Sequence, residues 1–69
     1  MLDFQMRVIN ERNELADKVS KLILFIASDK FLEVPQNEKE RLKAQLASMI
    51  PYLFILVDRI SWFDPPELQ

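Results

Sequence analysis

The residues best equipped for chemistry in this 69-residue chain are three arginines and a tyrosine: Arg7, Arg12, Arg59 and Tyr52. Planar guanidinium forks suit phosphate or carboxylate, and a tyrosine ring can stack on a flat ligand. Arg12 falls where a run of apolar residues calls for another, so its stem packs while its head reaches outward. Asp58 and Glu11 are the expected partners of that head. Alternatively it faces inward and, with Arg7, Tyr52 and Arg59, binds an anion at a junction between subunits.

Catalysis has little to draw on. The chain contains no His and no Cys, which removes the Ser-His-Asp triad, the thiolate nucleophile and the imidazole base. It contains no Gly either, so the usual phosphate-cradling loops are absent. Glu11, Glu14 and Asp17 are interleaved with Arg and Lys at the spacing of a solvated helix face. The expectation is a protein that is not an enzyme and needs no cofactor or metal. Nine basic against eleven acidic residues, well mixed, give a net charge of −2 and no footprint for duplex nucleic acid.

The elements that must position these side chains are helical. The heavy apolar residues Leu42, Leu46, Met49, Leu53, Leu56, Ile60 and Phe63 alternate spacings of four and three, the seam of a helix against a partner helix. Upstream, Val8, Leu15 and Leu22 recur every seven residues, with Val19 and Ile26 four after the last two. Asp17 and Lys21, like Glu14 and Lys18, mark the outer face. We therefore expect an all-α antiparallel hairpin forming one domain over residues 1–69. Its helix 1 covers about 4–28 with Asp3 as N-cap, the connector 29–35, helix 2 about 36–63, and a short extended tail 64–69. Helix 2 starts either with Pro35 in its first turn or with Asn37 and Glu40 as a capping box. Pro51 predicts a kink in a helix that otherwise keeps its phase. Phe31 and Leu32 are expected to cover the open end, and Met6 to approach Trp62.

A second row, Ala47, Ile50, Phe54 and Val57, runs beside the seam. A lone hairpin covers one row, and a chain of this size nets only about 3–5 kcal/mol from its own core. The surplus predicts self-association through helix 2 into a dimer or larger bundle, with Ile50, Phe54, Val57 and Trp62 as interface residues. The longest uncharged run, Ala44 to Val57, includes Pro51 and is 14 residues. That is short of the roughly 20 a spanning helix needs, so membrane insertion is not expected. The start Met1-Leu2-Asp3-Phe4-Gln5 is unlike a signal peptide, and a cytoplasmic protein is the simplest expectation.

Arg7-Val8, Glu11, Glu14-Leu15, Lys18, Lys21-Leu22, Phe25-Ile26, Lys30-Phe31, Leu42-Lys43, Gln45-Leu46, Met49, Tyr52, Leu56 and Arg59-Ile60 resemble a family of small, largely uncharacterised tailed-phage proteins first catalogued in a crAss-like phage. Ile50, Pro51, Leu53, Phe54 and Val57 depart from it, apolar or helix-breaking where that family is expected to be polar. The resemblance implies a non-catalytic accessory protein of host takeover or anti-defence, working in the host bacterial cytoplasm. The leading expectation is that it binds and blocks a host protein. By analogy with other small helical phage proteins, the alternative is a sponge whose oligomer pockets sequester an anionic host signal such as a cyclic nucleotide. A purely structural assembly protein is the third.

Overall fold

The computed structural model describes residues 2–63. Two long helices, α1 (Asp3–Ile26) and α2 (Gln36–Ser61), lie antiparallel, joined by a 3₁₀ turn at Asp29–Glu33. Among the described residues there is no strand. The tail expected at 64–69 lies outside them.

Local chemistry accounts for each boundary. Helix α1 begins one residue earlier than the periodicity suggests, and Asp3 is not its cap. The extended residue Leu2 precedes it, and the Leu2 amide donates to Gln5 Oε1 at 2.9 Å. Gln5 is itself buried, so its amide group is held at the helix start rather than left to water. Asp3 instead occupies the first turn, where its negative charge faces the positive end of the helix dipole. The helix stops at Ile26 rather than 28 because Ser28 turns back on it. Its hydroxyl donates to the Phe25 carbonyl at 2.6 Å, its amide to the same oxygen at 3.0 Å, and its backbone is extended.

In the connector, the Phe31 amide bonds the Ser28 carbonyl and the Val34 amide bonds the Phe31 carbonyl. Val34 is extended, as the residue before a proline prefers. Pro35 then serves as the N-cap of α2, one position before the first-turn site expected of it. Its carbonyl accepts from Glu38 and Lys39 at 3.0 and 2.9 Å. The alternative start at Asn37 and Glu40 is therefore not used. At the far end the Trp62 amide closes on the Arg59 carbonyl and the Phe63 amide on that of Ile60. Helix α2 thus ends at Ser61, two residues before the expected boundary.

Pro51 lies inside α2, which is continuous through it. Proline has no amide to give the Ala47 carbonyl, and both residues are exposed, so water can take that acceptor.

Seam residues meet as the two periodicities require. Leu56 is fully buried at 0% exposure and packs with Val8 and Ile60, and Ile9, Leu15 and Phe63 close around them. Leu42, Leu46, Met49 and Leu53 continue the seam, each half-buried. Edge-on ring pairs mark its ends: Phe4 with Phe63 at 5.8 Å, and Phe25 with Phe31 at 6.0 Å. Phe31 does cap the loop end and is buried. Leu32, expected beside it, is 72% exposed. A 3₁₀ turn has three residues per turn, so consecutive side chains point about 120° apart and only one can face in.

The chain is a rod. Its dimensions are 47 × 17 × 16 Å and its radius of gyration is 15.3 Å, against roughly 11 Å for a globular chain of this length. Length comes from two helices lying side by side with no third layer, and that leaves both flanks of the seam open.

Candidate functional site

Successive helix residues turn by about 100°, so residues adjacent to the seam in sequence fall on its two flanks. Because the helices are antiparallel, the positions just after seam residues share one flank and the positions just before them share the other. The two flanks differ in kind.

The first flank is apolar. Helix α2 contributes Ile50, Phe54 and Val57, each one position after Met49, Leu53 and Leu56. Phe54 is 67% exposed and Val57 44%, while Ile50 is half-buried. Helix α1 adds Ile9, Ala16, Ser20 and Ile23, and the acidic residues nearest this side, Glu40 and Asp58 of α2, lie at its outer edge. Positive charge enters at the loop end, as Lys39 and Lys43. Both ammonium groups sit over the Phe31 ring, at 5.5 and 5.9 Å from its centroid, each contact worth about 0.5–1 kcal/mol. The spacing of four between these lysines puts them on one face, the sequence signal for a shared partner.

The second flank is cationic and aromatic. Arg7 precedes Val8 and Arg59 precedes Ile60, and Val8 and Ile60 belong to one cluster, so the two guanidinium groups are carried at the same level of the rod. Both arginines are exposed. Among the described residues the ion pairs are Asp17–Lys21 at 2.9 Å and Glu38–Arg41 at 3.6 Å, and neither involves Arg7 or Arg59. Tyr52, 44% exposed, precedes Leu53 on the same flank, two turns of α2 from Arg59. Glu11 and Glu14 share this flank on α1, so its charge is not uniform.

Two expected contacts are not formed, and Trp62 falls on the other flank from the row it was grouped with. Arg12 is half-buried at the seam, but its Nε donates to the neighbouring Asn13 Oδ1 at 2.9 Å rather than to Asp58 or Glu11. The adjacent side chain offers an acceptor without the entropy of spanning to Asp58 on the other helix. Trp62 is 81% exposed and lies beyond the end of α2, five positions after Val57 and three after Arg59. Its register puts it with the arginines, apart from Ile50, Phe54 and Val57. The end contact expected between Met6 and Trp62 is made instead by Phe4 and Phe63.

Among the described residues no pocket is formed by a single copy, and no three acidic side chains converge as metal ligands would. Nor, among the described residues, is any helix long and apolar enough to cross a membrane. What one copy offers is two surfaces, one greasy and one cationic-aromatic.

The chain is 41% identical over 63 residues to a protein of Enterobacteria phage T4 described as an uncharacterised 7.5 kDa protein in the denB-rIIB intergenic region. That match spans 91% of this chain and 98% of the relative. No solved structure matches. The expected kinship with small phage proteins is met, here through a relative in phage T4. A family model named Sequestin matches residues 2–62, both helices and their connector, and the chain belongs to the Sequestin family.

Proposed function

We propose that this protein is a non-catalytic phage accessory protein that acts by sequestration in the host bacterial cytoplasm. It assembles with copies of itself through Ile50, Phe54 and Val57. It then holds an anionic host signal, such as a cyclic nucleotide, on the Arg7, Tyr52 and Arg59 flank. One observation carries the reading: two exposed guanidinium groups, unpaired among the described residues, share a level of the rod with aromatic side chains nearby. Such groups bind phosphate in forked geometry, and the ring supplies a face for a base. The family's name agrees with a sequestering role.

Because a single copy has no pocket among its described residues, tight capture calls for a second surface closing over the ligand. Assembly is the cheapest source of one. The test is thermal melting of the purified protein against a panel of cyclic mono- and dinucleotides. A ligand at a hundred times its dissociation constant adds about 2.7 kcal/mol to the folded state, and Arg7→Ala with Arg59→Ala removes the shift. A flat response across the panel rejects the small-ligand reading.

The second reading is occupation of a host protein, the first expectation from the sequence. It is favoured by the exposure of Phe54 at the centre of the apolar row, which suits a groove-filling helix. A purely structural role in assembly has no separate observation in its favour. The crAss-like provenance expected of the family has no support from the T4 relative.

A further inference from the structure

We infer that the apolar flank is covered by a second copy of this chain running in the opposite direction, its α2 laid antiparallel across this α2. The inference rests on the self-association proposed above and deepens it by naming the orientation.

Size comes first. Helix α2 has 26 residues, about 39 Å of helix, and the rod is 17 Å wide. In the register argued below the rods overlap over residues 41–63, about 33 Å, which gives roughly 560 Å² per copy in projection and roughly 1,120 Å² in all, above the ~1,000 Å² that a specific interface should clear. The flank is self-complementary in type as well. It carries Ile9, Ala16 and Ile23 beside Ile50, Phe54 and Val57, with no acidic residue among them.

Charge then selects the orientation. On this flank Lys39 and Lys43 stand at the loop end with Glu40 at its edge, while Asp58 lies at the same edge near the opposite end of α2. Two-fold pairing of like flanks has two solutions. With loop ends together, four ammonium groups meet only the two Glu40 carboxylates at one end of the assembly, and both Asp58 carboxylates stand at the other. With loop ends opposed, residues facing across the α2 pair have numbers summing to about 104, from the middle of the row. Ile50 then meets Phe54 of the second copy, and Ala47 meets Val57. Lys43 comes beside Ser61 and within one turn of Asp58. The opposed arrangement exchanges like-charge crowding for two symmetry-related pairs, and it sets the helix dipoles antiparallel.

The chain has no native Cys, so single cysteines report cleanly. Full-length Lys43→Cys and Ser61→Cys proteins are treated with a short bis-maleimide linker, each alone and as an equal mixture. The opposed arrangement yields covalent dimer from the mixture and little from either alone, since the two copies of residue 43 stand about 27 Å apart. Covalent dimer from Lys43→Cys alone would overturn it in favour of loops together. A dimer by light scattering that links in none of the three samples would overturn the choice of flank. A wild-type protein that scatters as a single copy at every concentration defeats the underlying self-association instead. As a second measurement, Lys43→Glu and Asp58→Lys each loosen the dimer roughly tenfold, and the double exchange restores it. Failure of the double exchange to restore affinity counts against the opposed pairing.

Discussion

Replacing Phe54 with Asp is the sharpest test of the self-association reading. Phe54 is 67% exposed in a single copy, so the fold of one copy uses only a third of the ring. A phenylalanine has roughly 200 Å² to bury, which leaves about 130 Å² for a partner. At about 25 cal/mol per Å² that is about 3 kcal/mol for each copy and about 6 kcal/mol for a symmetric pair. Every 1.4 kcal/mol is tenfold, so losing both rings should weaken association by about four powers of ten. Placing two carboxylates in the same contact weakens it further. Sedimentation equilibrium over a dilution series measures this, with far-ultraviolet circular dichroism on the same samples. The expected outcome is a Phe54→Asp protein that sediments as one copy and loses much of its helix at low concentration. An unchanged assembly would show that the row Ile50, Phe54 and Val57 is not its interface. A well-folded single copy would show that the hairpin supports itself and that the size argument is wrong.

Three further perturbations follow from the same geometry. Leu56→Ala removes the most deeply buried side chain among the described residues and should cost about 2–5 kcal/mol, comparable to the whole stability of a chain this small. Chemical denaturation reads it, and a loss below about 1 kcal/mol would mean that the seam is not the main source of stability. Pro51→Ala restores a helix bond in a continuous helix and should raise stability by up to about 3 kcal/mol. At 4–8 °C per kcal/mol for a domain of this size the melting point should rise by up to about 12–24 °C, whereas a fall would mean that a bend at Pro51 shapes the assembly. Gln5→Ala deletes the acceptor of the Leu2 amide and should cost about 1 kcal/mol. Amide exchange confined to the first turn of α1 checks that the effect is local.

The seam was readable from letters alone because burial repeats with the helical period, and two such runs of similar length can only pair side by side. Boundaries were less readable. Asp3 is a better cap than Leu2 by composition, yet a buried glutamine three residues on takes the Leu2 amide and moves the start by one. Ser28 ends α1 early through two bonds to one carbonyl, which composition does not foretell. The Ile50, Phe54 and Val57 row was legible as a stripe, but its neighbours Ile9, Ala16 and Ile23 on the other helix were not. Joining them requires knowing which side of the seam each helix shows. Trp62 was grouped with that row by hydrophobicity alone, and its place past the last turn separates it. Arg7, Tyr52 and Arg59 could be picked out as types, while their common side needed the antiparallel geometry. Arg12 went astray because a nearby side-chain acceptor outcompetes a distant carboxylate.

The meeting of Phe4 with Phe63, ring centres 5.8 Å apart, brings the beginning and the close of the described polypeptide to one tip of the rod. A circularly permuted version could be opened within 27–35 and joined between Leu2 and Phe63 by a short bridge, leaving both helices and the Leu2 cap intact. Joining two oppositely directed copies in a single polypeptide is a different matter. In the register argued above residue 63 stands opposite residue 41 of the second copy, so the link must travel about 33 Å, about 10 extended residues at a minimum. A fluorophore or tag attached at residue 4 or 63 would therefore sit alongside the partner's second helix, with the two loop ends forming the extremities of the pair.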